Sequence, residues 1–180
     1  MIMDVAETAA EPQSSATEVV DEGFVATPVV MDLSPDMFRA YCARHGLHFE
    51  TDQDGDISIR YPYRADRACG LRVYVYRSGE SRSIMVVRVR SDKRFRPIHR
   101  DQLLREINQY HCDKRWPRIY LRNVADIVEI NCESQTDLTA GIHQDLLDDI
   151  IDRTIMGSKN FWKWLASRGI PGMHDDAVTE

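Results

Sequence analysis

Hydrophobic and polar residues alternate along three neighbouring segments in the first half of the chain. The buried positions of these segments are expected to include Ile57 and Ile59, Val73 and Val75, and Val87 and Val89. A period of two is typical of a strand that buries one face. Stretches rich in Asp, Ser and Gly, at 52–56 and 78–81, separate the segments. The pattern therefore predicts three consecutive antiparallel strands.

Two further alternating segments, around Ile119 and around Ile130, predict a second hairpin. The predicted order is α-β-β-β-α-β-β-α. Since the strands come in groups and do not alternate singly with helices, this order indicates an α+β fold. We expect a five-stranded, mainly antiparallel sheet with the helices packed on one face.

Three stretches place apolar residues at the spacing of a helix. The first begins at Ser34 and Pro35, which suit a helix cap and a first helical position. The second is predicted from about 97 to 112. The third runs from near 139 to about 167, and Gly157 is expected to break or bend it.

The net charge of −6 is unevenly distributed over the 180 residues. Residues 1–36 contain eight acids and no bases, 57–97 contain eleven bases and three acids, and 124–156 contain eight acids and one base. Composition predicts a disordered acidic tail at 1–30, one domain at 31–172 and a loose tail at 173–180. Because no long apolar run and no secretory signal pattern is present, we expect no membrane span and a cytoplasmic protein.

No motif in the chain predicts catalysis, a cofactor or a metal. The acidic stretch at 52–56 has its glycine in the fourth position, where a calcium loop needs it in the sixth, and is expected to be a turn. His45 and His48 have no further ligands near them in sequence. The four cysteines form no CxxC pair and are expected to be reduced. We therefore expect that the protein is not an enzyme.

The strand residues that alternate with the core positions predict a distinctive outer side of the sheet. Arginine and tyrosine dominate it, and both are enriched at protein interfaces. The predicted residues are Arg60, Arg72, Tyr74, Tyr76, Ile84, Val86, Arg88, Arg90, Tyr120 and Arg122. This surface is predicted either to bind another protein or a second copy in a homodimer, or to be covered by a helix or by the acidic tail.

The last predicted helix carries an acidic stripe opposite its Leu/Ile stripe. It consists of Asp145, Asp148, Asp149 and Asp152, which fall on one arc of the helix. Such a stripe is either a solvated surface or a contact for a basic partner.

The element order, the helix segment REINQY at 105–110 and the closing stretch FWKWL at 161–165 resemble the YbjN family over about 32–168. Asn108 stands where the family helix has its asparagine, whereas 111–117 departs from the family's usual turn. The resemblance implies a fold like that of type III secretion chaperones. It also implies a bacterial sensory-transduction regulator or a chaperone-like module, active in signal transduction or stress regulation, that binds protein and has no catalytic residues.

An alternative function is nucleic-acid binding through the same arginine and tyrosine residues. The chain lacks the RNP1 pattern of sheet-based RNA-binding domains, and its net charge is negative. Both observations disfavour a nucleic-acid partner.

Overall fold

The structure is a computed structural model that describes residues 28–173. It opens with helix α1, Pro35–Arg44, which has proline in its first turn as predicted. Ser34 occupies the cap position in an extended conformation, but its side chain makes no capping hydrogen bond. Met37, Phe38 and Tyr41 give α1 its buried side.

A single antiparallel sheet forms the centre of the fold. Its strands are β1 (Phe49–Thr51), β2 (Ile57–Arg64), β3 (Cys69–Ser78), β4 (Ile84–Ser91), β5 (Arg118–Val124) and β6 (Ile127–Asp137). They lie in the order β1-β2-β3-β4-β6-β5, and every neighbouring pair is antiparallel. The predicted α+β class, the run of three strands and the later hairpin are confirmed.

The predicted count of five strands is wrong, because β1 adds a sixth strand at the sheet edge. In β1, Phe49 pairs with Ile59 and Thr51 pairs with Ile57. All three residues of β1 are exposed. A three-residue strand with no buried side has no hydrophobic alternation, so the sequence pattern could not indicate it.

Helix α2 follows β4, and helix α3 follows β6. A single 3-10 turn, Pro97–His99, leads into α2, which spans Arg100–Asp113. Helix α3 extends over Gln144–Ala166. The predicted break of the last helix at Gly157 is wrong. A Cβ atom at Gly157 would lie 2.8 Å from Cδ of Pro117, so this glycine lets the segment before β5 approach the helix closely.

The helices pack on one face of the sheet, as predicted. Val73, Val75, Val87 and Val89 are fully buried beneath them. The helices contribute a second group of fully buried side chains, including Phe38, Leu103, Leu147, Ile151 and Phe161. We call the opposite face of the sheet the outer face.

Of the tails predicted at 1–30 and 173–180, all but 28–30 and 173 lie outside the described residues. Of the apolar stretch before α1, Met31 pairs with Ile142 in an isolated bridge. Within 28–173, no helix combines the length and the apolar character needed to cross a membrane. All four cysteines are free thiols, and only Cys112 among them is exposed.

Candidate partner-binding face of the sheet

The structure places all ten predicted face residues on the outer face, because each alternates with a core position of its strand. The helices α1, α2 and α3 pack on the other side. The predicted alternative that a helix covers this face is therefore wrong for the described residues. The other predicted cover is the acidic tail, and the structure does not describe residues 1–27.

The strand register arranges the outer face into cross-strand rows. One row joins Arg60, Arg72 and Arg90 on β2, β3 and β4, and we call it the arginine row. It continues on β6 and β5 with Asn131 and Tyr120. The rows decide the electrostatics of the face because residues directly opposite each other have their Cβ atoms about 5 Å apart.

A buried carboxylate on β6 organises the neighbouring row. Glu133 is 1% exposed and accepts a hydrogen bond of 2.6 Å from Nε of Arg88. Its other donors are the hydroxyl of Tyr120 at 3.0 Å, the amide of Gln135 at 2.8 Å, and the guanidinium group of Arg118. Each carboxylate oxygen of Glu133 therefore has at least two donors, which compensates for its removal from water.

The hydrogen bonds to Glu133 also set its ionisation. Burial alone would raise the pKa of this carboxyl group. The hydrogen bonds from Arg88, Tyr120 and Arg118 outweigh burial and hold the pKa below its ordinary value. Glu133 is therefore charged at neutral pH and holds Arg88 in place.

A second buried carboxylate binds two further arginines. Glu129 is 6% exposed, and its two oxygens accept from Arg90 at 2.7 Å and from Arg94 at 2.9 Å. Neither glutamate was predicted to lie on the outer face. The signal that could have found them was the alternation of Glu129 and Glu133 with the buried residues of β6.

The aliphatic part of the outer face is less accessible than predicted. Val86 is 2% exposed, so its assignment as a contact residue is wrong. It lies between Tyr76 and Gln135 in the ladder, and both neighbours have longer side chains. Ile84 stays partly exposed at the start of β4. The Tyr76 ring lies under Arg88, whose guanidinium carbon is 5.4 Å from the ring centroid.

Two shallow hollows of about 420 Å³ each lie on the outer face. Tyr74 and Arg90 line both of them, so the hollows adjoin along β3 and β4. The one toward β1 also includes Glu50 and Ser58, and the other includes Arg60 and Arg72. We call the second hollow the arginine cleft. The two hollows make this part of the outer face concave, so a partner could place side chains in them.

The acidic stripe of α3 is occupied mainly by contacts within the chain. Asp145 and Asp148 bind Arg44 of α1 at 2.9 and 3.1 Å, and Asp152 accepts a 2.7 Å hydrogen bond from Tyr41. Burial, together with this bond to Asp152, raises the pKa of Tyr41. Asp149 pairs with Arg153 on the same helix. The stripe therefore connects α3 to α1. Neither predicted role, a solvated surface or a contact for a basic partner, included this contact within the chain.

The acidic stretch 52–56 forms a turn. One carboxylate oxygen of Asp52 accepts the backbone N–H groups of Asp54 and Asp56, each at 3.0 Å. In the part of the chain that the structure describes, no three or more His, Cys, Asp or Glu side chains converge as a metal site would require.

Comparison with known proteins identifies the family. Residues 34–167 match the family model of YbjN, described as "Putative bacterial sensory transduction regulator". This chain belongs to the YbjN family. A regulatory role is thus the function assigned to its family. No curated protein matches the sequence.

A solved YbjN structure has a similar fold. It is described as "Crystal structure of YbjN, a putative transcription regulator from E. coli", and its TM-score to this chain is 0.62. The similarity covers 78% of this chain and 96% of that chain, at 7% sequence identity. At this identity the likeness shows the shared fold alone.

The two segments on which the YbjN resemblance depends meet in the core. Tyr110 of the segment 105–110 packs edge-on against Phe161, with ring centroids 5.1 Å apart, and lies 5.2 Å from the Trp164 ring. Asn108 is exposed on α2. The aromatic part of the YbjN pattern therefore joins α2 to α3.

Proposed function

We propose that this protein is a non-enzymatic regulator that acts by binding another protein, or a second copy of itself, through the outer face. The observation that supports the proposal is a six-stranded sheet whose outer face is left open by α1, α2 and α3. That face carries partly exposed Tyr74, Tyr76 and Arg72 together with exposed Arg60.

The glutamates of β6 make this face suited to recognition. Association loses less free energy when the contacting side chains are already ordered. Glu133 orients Arg88, Tyr120 and Arg118, and the Arg88 guanidinium in turn lies over Tyr76. Pre-ordered tyrosine and arginine side chains are frequent among residues that dominate binding energy.

The description of the YbjN family as a regulator supports the regulatory part of the proposal. We propose further that regulation proceeds through protein binding and resembles the action of a chaperone on its client. We also propose that it serves signal transduction or stress responses, and that no catalysis is involved.

Site-specific photo-crosslinking in the native cells tests this role. A photoreactive amino acid replaces Tyr74 in the full chain, and a matched chain carries it at Met156, which is exposed on α3. We expect Tyr74 to give one dominant protein adduct that Met156 does not give. Mass spectrometry of the adduct identifies either another protein or this chain itself.

Binding of the identified partner then tests the face quantitatively. We expect Arg60→Gln combined with Tyr74→Ala to weaken the purified complex by about tenfold or more, the scale of an interface hot spot. The control Met156→Ala is expected to leave affinity unchanged. Identical adducts from both positions, or equal affinity of all variants, would rule out the outer face as the binding surface. Adducts with nucleic acid alone would favour the alternative function.

A further inference from the structure

The arginine row carries a repulsion that the fold does not require. Arg60, Arg72 and Arg90 stand directly opposite one another on three adjacent strands. Like charges in opposite positions of a sheet are destabilising. A polar residue without charge at position 60 would keep the same backbone and avoid the repulsion with Arg72. The row is therefore better explained by a ligand than by stability.

The carboxylates of the described chain leave this row incompletely neutralised. Arg72 pairs with Glu50 at 3.2 Å, but the Glu50 side chain is 71% exposed. Arg90 shares Glu129 with Arg94. Arg60 is exposed and has no carboxylate partner among residues 28–173. At least one guanidinium group, with donors suited to carboxylate oxygens, is thus available in the arginine cleft.

The arginine cleft contains one carboxylate of its own, which is already engaged. Asp92 accepts the backbone N–H of Gly70 at 2.9 and 3.0 Å through its two oxygens. Tyr63 and Tyr74 also line the cleft, which measures about 420 Å³. The chemistry of the cleft therefore suits an extended segment that carries several carboxylates and has no bases to compete with the arginines.

The chain itself contains a segment of this composition. Residues 1–27 include six acids, Asp4, Glu7, Glu11, Glu18, Asp21 and Glu22, and no Lys or Arg. The described chain starts at 28, near the bridge of Met31 to Ile142. That bridge follows Leu138, whose N–H bonds to the carbonyl of Ser83 just before β4. The segment therefore joins the domain at the end of the sheet where β4 begins.

The distance from that point to the arginine row is short for a chain of this length. Arg90 lies six positions after Ile84 in β4, or about 20 Å along the strand. A segment of 27 residues spans up to about 90 Å when extended. Its attachment also keeps its carboxylates at an effective concentration of about millimolar near the face.

We propose that residues 1–27 dock in cis on the arginine row, with their carboxylates bound by Arg60 and Arg72 in the arginine cleft. The docked segment then competes with any partner for the outer face. This competition rests on the proposed function, whereas the docking itself needs no partner.

Paramagnetic NMR on the full chain tests the docking. The exposed thiol is removed by Cys112→Ser, and a spin label is attached at Ser15→Cys, while the three remaining cysteines are buried. We expect a selective loss of amide intensity around Arg60, Arg72 and Arg90. Raising the salt to about 1 M, where the Debye length is about 3 Å, should restore the peaks.

Two variants of the labelled chain make the test specific. The double change Arg60→Gln and Arg72→Gln is expected to restore the intensities. Arg105→Gln is the matched control, because Arg105 is exposed on α2, away from the outer face, and its loss should leave the docking unchanged. Loss that is uniform, confined to other residues, or retained in the double variant would overturn the proposal. In a further sample, a spin-labelled chain is mixed with an isotope-labelled chain that has no spin label. Loss of amide intensity in the isotope-labelled chain would also overturn the proposal, because the docking would then occur between molecules. Since no partner is present, failure here is distinct from failure of the cross-linking experiment.

Discussion

The two sides of the outer face use arginine in different ways. On the side of β6 and β5, Arg88 and Arg118 converge on Glu133, a carboxylate that is 1% exposed. On the side of β2 and β3, Arg60 and Arg72 face each other across the strands. Of the two, only Arg72 pairs with an acid of the described residues, and that acid, Glu50, is largely solvated.

This difference shows that the carboxylate within reach determines the role of an arginine on a sheet. An arginine bound to a buried glutamate belongs to the structure, because its removal leaves an uncompensated charge. An arginine that faces another arginine and reaches no buried carboxylate contributes little or nothing to stability and is available to a ligand.

The largest effect is expected for Glu133→Gln. The change removes the charge that holds Arg88 and Arg118, and we expect it to lower the free energy of unfolding by about 2 kcal/mol, because both arginines stay in contact with water. Urea denaturation at pH 7 measures this value. Glu50→Gln is the control on the other side, and its effect should stay within about 0.5 kcal/mol because Glu50 is exposed. Equal losses for the two variants would contradict the comparison.

The second prediction concerns acid. The pKa of Glu133 is lowered in the folded state, so its contribution to stability is complete above the unfolded pKa, near 4.5. That contribution is lost as the pH falls through the lower, folded pKa. We expect the stability gap between the wild type and Glu133→Gln to narrow as the pH falls below about 4.5. Urea titrations from pH 7 to pH 3 measure the gap. A gap that is constant over this range would show that Glu133 acts through packing and not through its charge.

The smallest effects distinguish arginines within the arginine row. We expect Arg60→Gln to change the free energy of unfolding by less than about 0.5 kcal/mol, or to raise it slightly, because the change relieves repulsion with Arg72. Arg90→Gln should lower it by about 1 kcal/mol, since Glu129 then retains only Arg94. Thermal denaturation of both variants under the same conditions provides the comparison. A larger loss for Arg60 than for Arg90 would reverse the roles assigned to them.

The sequence predicted the elements that have strong periodicity. The strands around Val73 and Val87 and the later hairpin alternate clearly, and the structure has them where they were expected. The short edge strand β1 was missed because it has no buried side. The expected break at Gly157 was wrong, because the glycine serves a contact with Pro117 that is remote in sequence.

The site was predicted in part for the same reason. Alternation places Arg88 and Tyr120 on the outer face, but it does not show that Glu133 lies between their strands. That contact requires β6 to insert between β4 and β5, an order that differs from the order of the chain. Similarly, the acidic residues of α3 were recognised as a stripe, but their partners Arg44 and Tyr41 lie more than 100 residues away.

The sequence by itself determined which face of the five periodic strands and of the helices is buried, because hydrophobic periodicity is a local property of the chain. From that it also determined the α+β class and ten residues of the outer face, without Glu129 and Glu133. Only the tertiary structure decided which of these charges neutralise one another, since that depends on strand order and register. It assigned Glu133 and Glu129 to the arginines of β4 and left Arg60 without a carboxylate partner among the described residues. The physical reason is that a charge interaction has a range of a few ångströms in space and is independent of separation along the chain.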